Sequence, residues 1–148
     1  MSGIECKIMI IAKYVEIDYK HNHGNMIQLN GIGGGELLSG NGKNMLEKEI
    51  RNRFKTAFGK GPERIEISYD NEMLAILLGG FLTKVERLRM KERGGTDIIR
   101  DFRYNEMKKE IEQILKKEAF RNIVPSNVYI DVHANEDSAC FVVFATKE

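Results

Sequence analysis

A chain of 148 residues is one domain's worth of sequence, enough to bury a real core. Its ordinary composition and net charge of +1 exclude a polyelectrolyte that would seek nucleic acid or an anionic membrane through global charge. Its two cysteines, Cys6 and Cys140, stand far apart and in no motif, which excludes a disulfide scaffold and fits a reducing compartment.

The charge is uneven. Residues 43–64 carry seven basic and three acidic side chains, residues 84–103 seven and four, and the last 24 residues one and four. A mildly basic band across the middle follows, which is equally the pattern of a solvated helix face. The longest apolar run, residues 139–145, falls far short of the roughly 20 residues a membrane span needs. Ile8-Met-Ile-Ile-Ala12 is too short for a signal-peptide core and has an acidic residue before it. The expectation is a cytoplasmic chain that does not itself span a membrane.

In chain order, residues 5–19 predict a strand, since β-branched and aromatic residues dominate from Ile8 to Tyr19. His21-Asn-His23-Gly-Asn25 is turn chemistry, and Met26–Leu29 predicts a short returning strand. The glycine-rich stretch 30–43 reads as a flexible connector. Residues 1–44 are therefore set apart as an N-terminal hairpin extension with a linker, and 45–148 as the core domain. From Met45, the residues Leu46, Ile50, Phe54, Ala57 and Phe58 recur at helical spacing, and Gly59 and Gly61 stop the helix. Ile65, Ile67 and Tyr69 alternate as a strand; Asp70-Asn71 turns, and Met73–Leu78 returns. Thr83-Lys-Val-Glu86 has capping-box spacing and opens a short helix toward Lys91. Gly94-Gly95 breaks it, and Thr96-Asp97 can cap the next helix, predicted over about 97–121. Its expected apolar stripe is Ile98, Phe102, Ile111, Ile114, Leu115 and Ala119. Pro125 ends the crossing, and strands over 127–133 and 138–146 form a second hairpin around Ala134–Asp137.

Residues 62–83 and 125–146 echo one another: Pro, two β-branched residues, Asn-Glu and Ala recur in order, with one residue added in the second copy before its Asn. A charged amphipathic helix precedes each. The expected fold is α+β: two helix-hairpin (αββ) repeats forming a four-stranded, mainly antiparallel sheet with helices on one face, plus an N-terminal β-hairpin. A pseudo-twofold would pair Ile67 with Ile130 and Ala75 with Ala139. A ferredoxin-like sheet is the nearest alternative. Leu74–Leu78 and Phe141–Phe144 have no polar face, which implies burial on both sides of the sheet and motivates a homodimer.

No motif signposts a catalytic residue. Gly31–Lys43 fails the phosphate-loop pattern because Asn41 follows Gly40, and the dinucleotide pattern because position 36 is Glu. His21 and His23 flank a turn with no completing ligand, so no metal or cofactor is expected. Arg100 and Arg103 are three apart on a helix and could clamp a carboxylate or phosphate bidentately. Equally, they could pair with Glu86 or Asp97, or face water. The candidate anion site gathers Lys60, Gly61, Thr83, Glu86, Thr96, Arg100 and Arg103.

Gly59-Lys-Gly61-Pro62 closing a helix, Gly80-Phe-Leu82-Thr83-Lys-Val-Glu86 after a hairpin, and Arg100-Asp-Phe-Arg103 in a long helix resemble the MpsC-like family over roughly residues 45–146. The resemblance implies a small soluble bacterial protein, an accessory part of a cation-translocating, membrane-potential-generating system linked to inorganic-carbon supply. It implies membrane-protein partners and supplies no catalytic residues. The expected function is thus a non-enzymatic accessory or regulatory module acting through protein contacts or a small anionic ligand. Nucleic-acid or ribosome binding through the basic middle helices is the alternative, and an enzyme ranks third.

Overall fold

In the computed structural model, the described residues are Leu38, residues 41–121, Ile123 and residues 125–145. The expected N-terminal hairpin, with His21, His23 and Cys6, lies outside them. Helix α1 spans Gly42–Phe58 and buries Leu46, Ile50 and Phe54, one every fourth residue. Gly59 ends it in the left-handed conformation at φ 81°, its N–H donating to the Lys55 carbonyl at 2.9 Å. The helix begins earlier than Met45. Leu38, assigned above to the connector, is buried in the core.

Strand β1 (Arg64–Tyr69) turns at Asp70, whose Oδ1 accepts from the N–H groups of Glu72 and Met73, both at 2.8 Å. Strand β2 (Met73–Gly79) returns. Helix α2 (Lys84–Arg89) carries the capping box expected from Thr83 and Glu86. Helix α3 covers Gly95–Leu115. Strands β3 (Pro125–His133) and β4 (Ser138–Ala145) make the second hairpin across a 3₁₀ turn at Ala134–Glu136. The four strands form one antiparallel sheet in the order β1-β2-β4-β3. The fold is α+β, with the two hairpins side by side, each preceded by a helix. Among the described residues the order is helix-hairpin, helix-hairpin, with β4 next to β2.

One sheet face carries the main core. Leu74, Ile76, Leu78, Phe141 and Val143 pack there with Leu46, Ile50 and Phe54 of α1 and Met107, Ile111 and Ile114 of α3. Met73, Cys140 and Val142 form a separate buried cluster on the opposite face, without helix residues. Strand parity corrects one expected pairing. Ala75 lies opposite Val142 and shares its face, whereas Ala139 belongs to the main core. Ala75 and Ala139 therefore face opposite ways, while Ile67 and Ile130 both join the main core. On the face opposite the main core Met73, Cys140 and Val142 are buried, while Tyr129, opposite Val142 in the register, is 58% exposed.

Helix α3 departs from its predicted stripe. Its buried positions are Ile99, Arg103, Met107, Ile111, Ile114 and Leu115, so Ile98 and Phe102 point outward at 58% and 48% exposure. The inward row places an arginine where the apolar periodicity expected Phe102. The helix also stops at Leu115, short of residue 121. Lys117 is extended at ψ 150°, and a 3₁₀ turn over Glu118–Phe120 swings Phe120 into the core while Ala119 stays exposed.

Candidate functional site

The site is built where β2 runs into α2. Asp137, held in the left-handed conformation at φ 49°, receives this segment with its main chain and both carboxylate oxygens. Its carbonyl accepts from Gly80 N–H at 2.9 Å, and its Oδ1 accepts from the N–H groups of Phe81 and Leu82 at 2.8 and 2.9 Å. Its Oδ2 accepts from Arg87 Nη2 at 2.7 Å. The anchored segment presents the Phe81 carbonyl inward and sets Thr83 at the start of α2.

Arg103 meets this segment from α3 and is fully buried. Its Nε donates to Glu86 Oε2 at 2.7 Å and its Nη2 to Glu86 Oε1 at 2.6 Å, a side-on bidentate pair. Nη2 also donates to the Phe81 carbonyl at 3.0 Å. Glu86 Oε1 accepts in addition from the Thr83 N–H and hydroxyl, each at 3.0 Å. The guanidinium carbon sits 4.0 Å from the Phe58 ring centroid and 5.3 Å from that of Phe81, a cation–π contact of about 2 kcal/mol for a desolvated charge. Arg103 Nη1 is buried and makes no hydrogen bond among the described residues.

Burial alone would raise the Glu86 carboxyl. The hydrogen bonds from Arg103 and Thr83 and the Arg103 charge outweigh it, so the group lies below its ordinary range. An ionised Glu86 locked to Arg103 is a fixed ion pair rather than a proton-transfer group.

Of the predicted site residues, Thr83, Glu86 and Arg103 come together. Lys60 reaches the same segment through the Leu82 carbonyl at 3.3 Å and also pairs with Glu63. Gly61 packs against the backbone of Arg51 in α1. Thr96 lies inside α3, its hydroxyl 3.4 Å from the Met90 carbonyl, and Gly94 takes the N-cap position at φ 75°. Arg100 faces solvent between Asp97 and Asp101, each at 3.3 Å. The two arginines thus diverge, each with its own carboxylate, in the pairing that sequence held open beside the clamp. Phe58, Phe81 and Asp137 belong to the site and were not foreseen as such. In the sequence Asp137 is only part of a hairpin turn, and nothing local marks a contact more than fifty residues away.

Glu86 and Arg103 line an open groove of about 440 Å³ whose other lining residues include Phe58, Val85, Arg89, Ile98 and Phe102. Val85 is 68% exposed, and Phe102 meets Phe58 edge-on with centroids 6.4 Å apart.

No curated protein and no solved structure matches the chain. A family model described as "Na+-translocating membrane potential-generating system (MpsC)" matches residues 40–145, which takes in α1, the whole sheet and the Glu86–Arg103 site. The chain therefore belongs to the MpsC family.

Proposed function

We propose that this protein is a non-enzymatic accessory module of a bacterial cation- or bicarbonate-translocating membrane system, working in the cytoplasm through protein contacts. The family's description supplies the membrane-system context. No helix among the described residues is long and apolar enough to cross a membrane. The observation that carries the contact reading is the α2–α3 face. It exposes Val85, Leu88, Ile98 and Phe102 beside an open groove, while the charges of Glu86 and Arg103 beneath neutralise one another. A small anion is a weaker ligand for this site, since Glu86 neutralises Arg103 and Asp97 and Asp101 flank Arg100.

One observation favours nucleic acid as a second reading. Lys84, Arg89, Lys91 and Arg93 are exposed and make no ion pair among the described residues. Affinity purification of the tagged chain from solubilised membranes of its native host, with mass spectrometry, separates the two. Recovery of subunits of an ion-translocating complex supports the accessory role. Recovery of ribosomes or RNA instead, with affinity falling steeply as salt rises, replaces it with the second reading.

A further inference from the structure

We infer that the groove over the Glu86–Arg103 pair receives an apolar side chain from an acidic segment of a partner protein, with the segment's carboxylates lying along α2. This rests on the accessory reading above and specifies the chemistry of its contact.

Three observations converge. Val85, Ile98 and Phe102, at 68%, 58% and 48% exposure, surround the groove, and large apolar groups clustered at a concavity mark an interaction site. Its volume of about 440 Å³ gives an inserted anchor somewhere to go, whereas a lipid surface would be met by a protruding apolar edge.

The charge around it is one-sided. On α2 and the turn after it, Lys84, Arg89, Lys91 and Arg93 stand without carboxylate partners among the described residues, against Glu92 alone among the exposed acidic side chains there. Arg87 is taken by Asp137. Along α3, Arg100 lies between Asp97 and Asp101. A segment crossing the groove is therefore favoured when its acidic edge follows α2, and disfavoured when that edge follows α3.

The third observation is Arg103 Nη1. A buried guanidinium N–H without an acceptor carries a desolvation cost that a bound partner can relieve. The neighbouring Phe58 ring has no acceptor to offer, and both Glu86 oxygens are already engaged at the opposite edge of the guanidinium. A carbonyl or carboxylate brought in with the anchor would fill that role once the groove floor, where Arg103 is fully buried, shifts to admit it.

The test uses the full chain and a displayed library of random peptides, with selected peptides resynthesised and measured by fluorescence anisotropy. The expected winners combine an aromatic or leucine anchor with Asp or Glu. Phe102→Asp, and separately Val85→Asp, should weaken them about tenfold or more while circular dichroism stays unchanged, because Val85 is largely exposed and Phe102 half-exposed at the rim. Lys84→Glu with Arg89→Glu should reverse the preference toward Lys and Arg. The inference is overturned if no peptide is enriched, if winners bind both Asp variants as well as wild type, or if the charge reversal leaves the preference unchanged. It is also overturned if phosphatidylglycerol vesicles or single-stranded RNA bind the wild-type chain in a Phe102-dependent way while peptides do not; the face then belongs to lipid or nucleic acid. Failure here is distinct from failure of the accessory role. A membrane partner recovered equally by Phe102→Asp and wild type refutes the groove alone, and selected peptides without any membrane partner refute the role alone.

Discussion

Arg103 is a full charge held at zero exposure, and its tolerance inside the fold rests on Glu86, the Phe81 carbonyl and the ring of Phe58. Arg103→Met keeps much of the volume and leaves Glu86 as an unpaired carboxylate. The expected loss is about 3–5 kcal/mol in chemical denaturation. Adding Glu86→Gln should recover part of it, since the stranded charge is then gone. An arginine that mainly fills space would show no such recovery. The pH dependence has a definite sign. The Glu86 carboxyl is lowered in the folded chain from 4.5, so in acid the unfolded chain binds the extra proton first. Its stabilisation is complete above that ordinary value and is lost as pH falls through the folded one. The stability gap between wild type and Glu86→Gln should accordingly be widest at neutral pH and shrink below about pH 4.5. Cys140 behaves as a small core hydrophobe. Burial, and then the charge of Asp131, push its thiol up to about 12. In a Cys6→Ser background it should react with a thiol reagent at pH 8 only at the rate of unfolding; rapid labelling of the native chain would contradict its burial.

At the scale of elements, the turn between α2 and α3 is the tightest joint. Gly94 occupies the left-handed region with open space around it, whereas a Cβ on Gly95 would strike the carbonyl of Arg89. Gly94→Ala should cost on the order of 1–2 kcal/mol from backbone strain alone. Gly95→Ala should cost more, because α2 must move away from α3, and thermal melts of the pair give the order directly. These two helices also mark where sequence was legible and where it was not. Strand periodicity, the Asp70 turn, the Thr83–Glu86 capping box and the Gly59 stop are local signals, and each element stands close to where they place it. The inward row of α3 was misjudged because Ile98 and Phe102 are the apolar choices at that spacing, and periodicity cannot know that Arg103 has a carboxylate waiting on another helix. The helix's end was misjudged because burial of Phe120, not a breaker residue, ends it. In the candidate site, Thr83, Glu86 and Arg103 were found by residue type, but their arrangement depends on Asp137 and Phe58, which only the fold brings near.

At the scale of the molecule, one sheet face holds the helical core and the other holds the buried cluster of Met73, Cys140 and Val142. Val142→Lys should therefore unfold the protein, read as lost circular dichroism, and not merely convert a dimer to folded monomers; a folded, monomeric variant would make the case for an interface at that face. What the described surface leaves open is the α2–α3 side, apolar around its groove and cationic along α2. The proposed working contact of the protein is this side. Site-specific photo-crosslinking in the native host tests it most directly, with a benzophenone side chain placed at Val85 and, as control, at Tyr129, which is 58% exposed on β3. Crosslinks are expected from position 85 to a subunit of the ion-translocating membrane complex, and few or none from position 129. Equal crosslinking from both positions, or crosslinks from 129 alone, would contradict it.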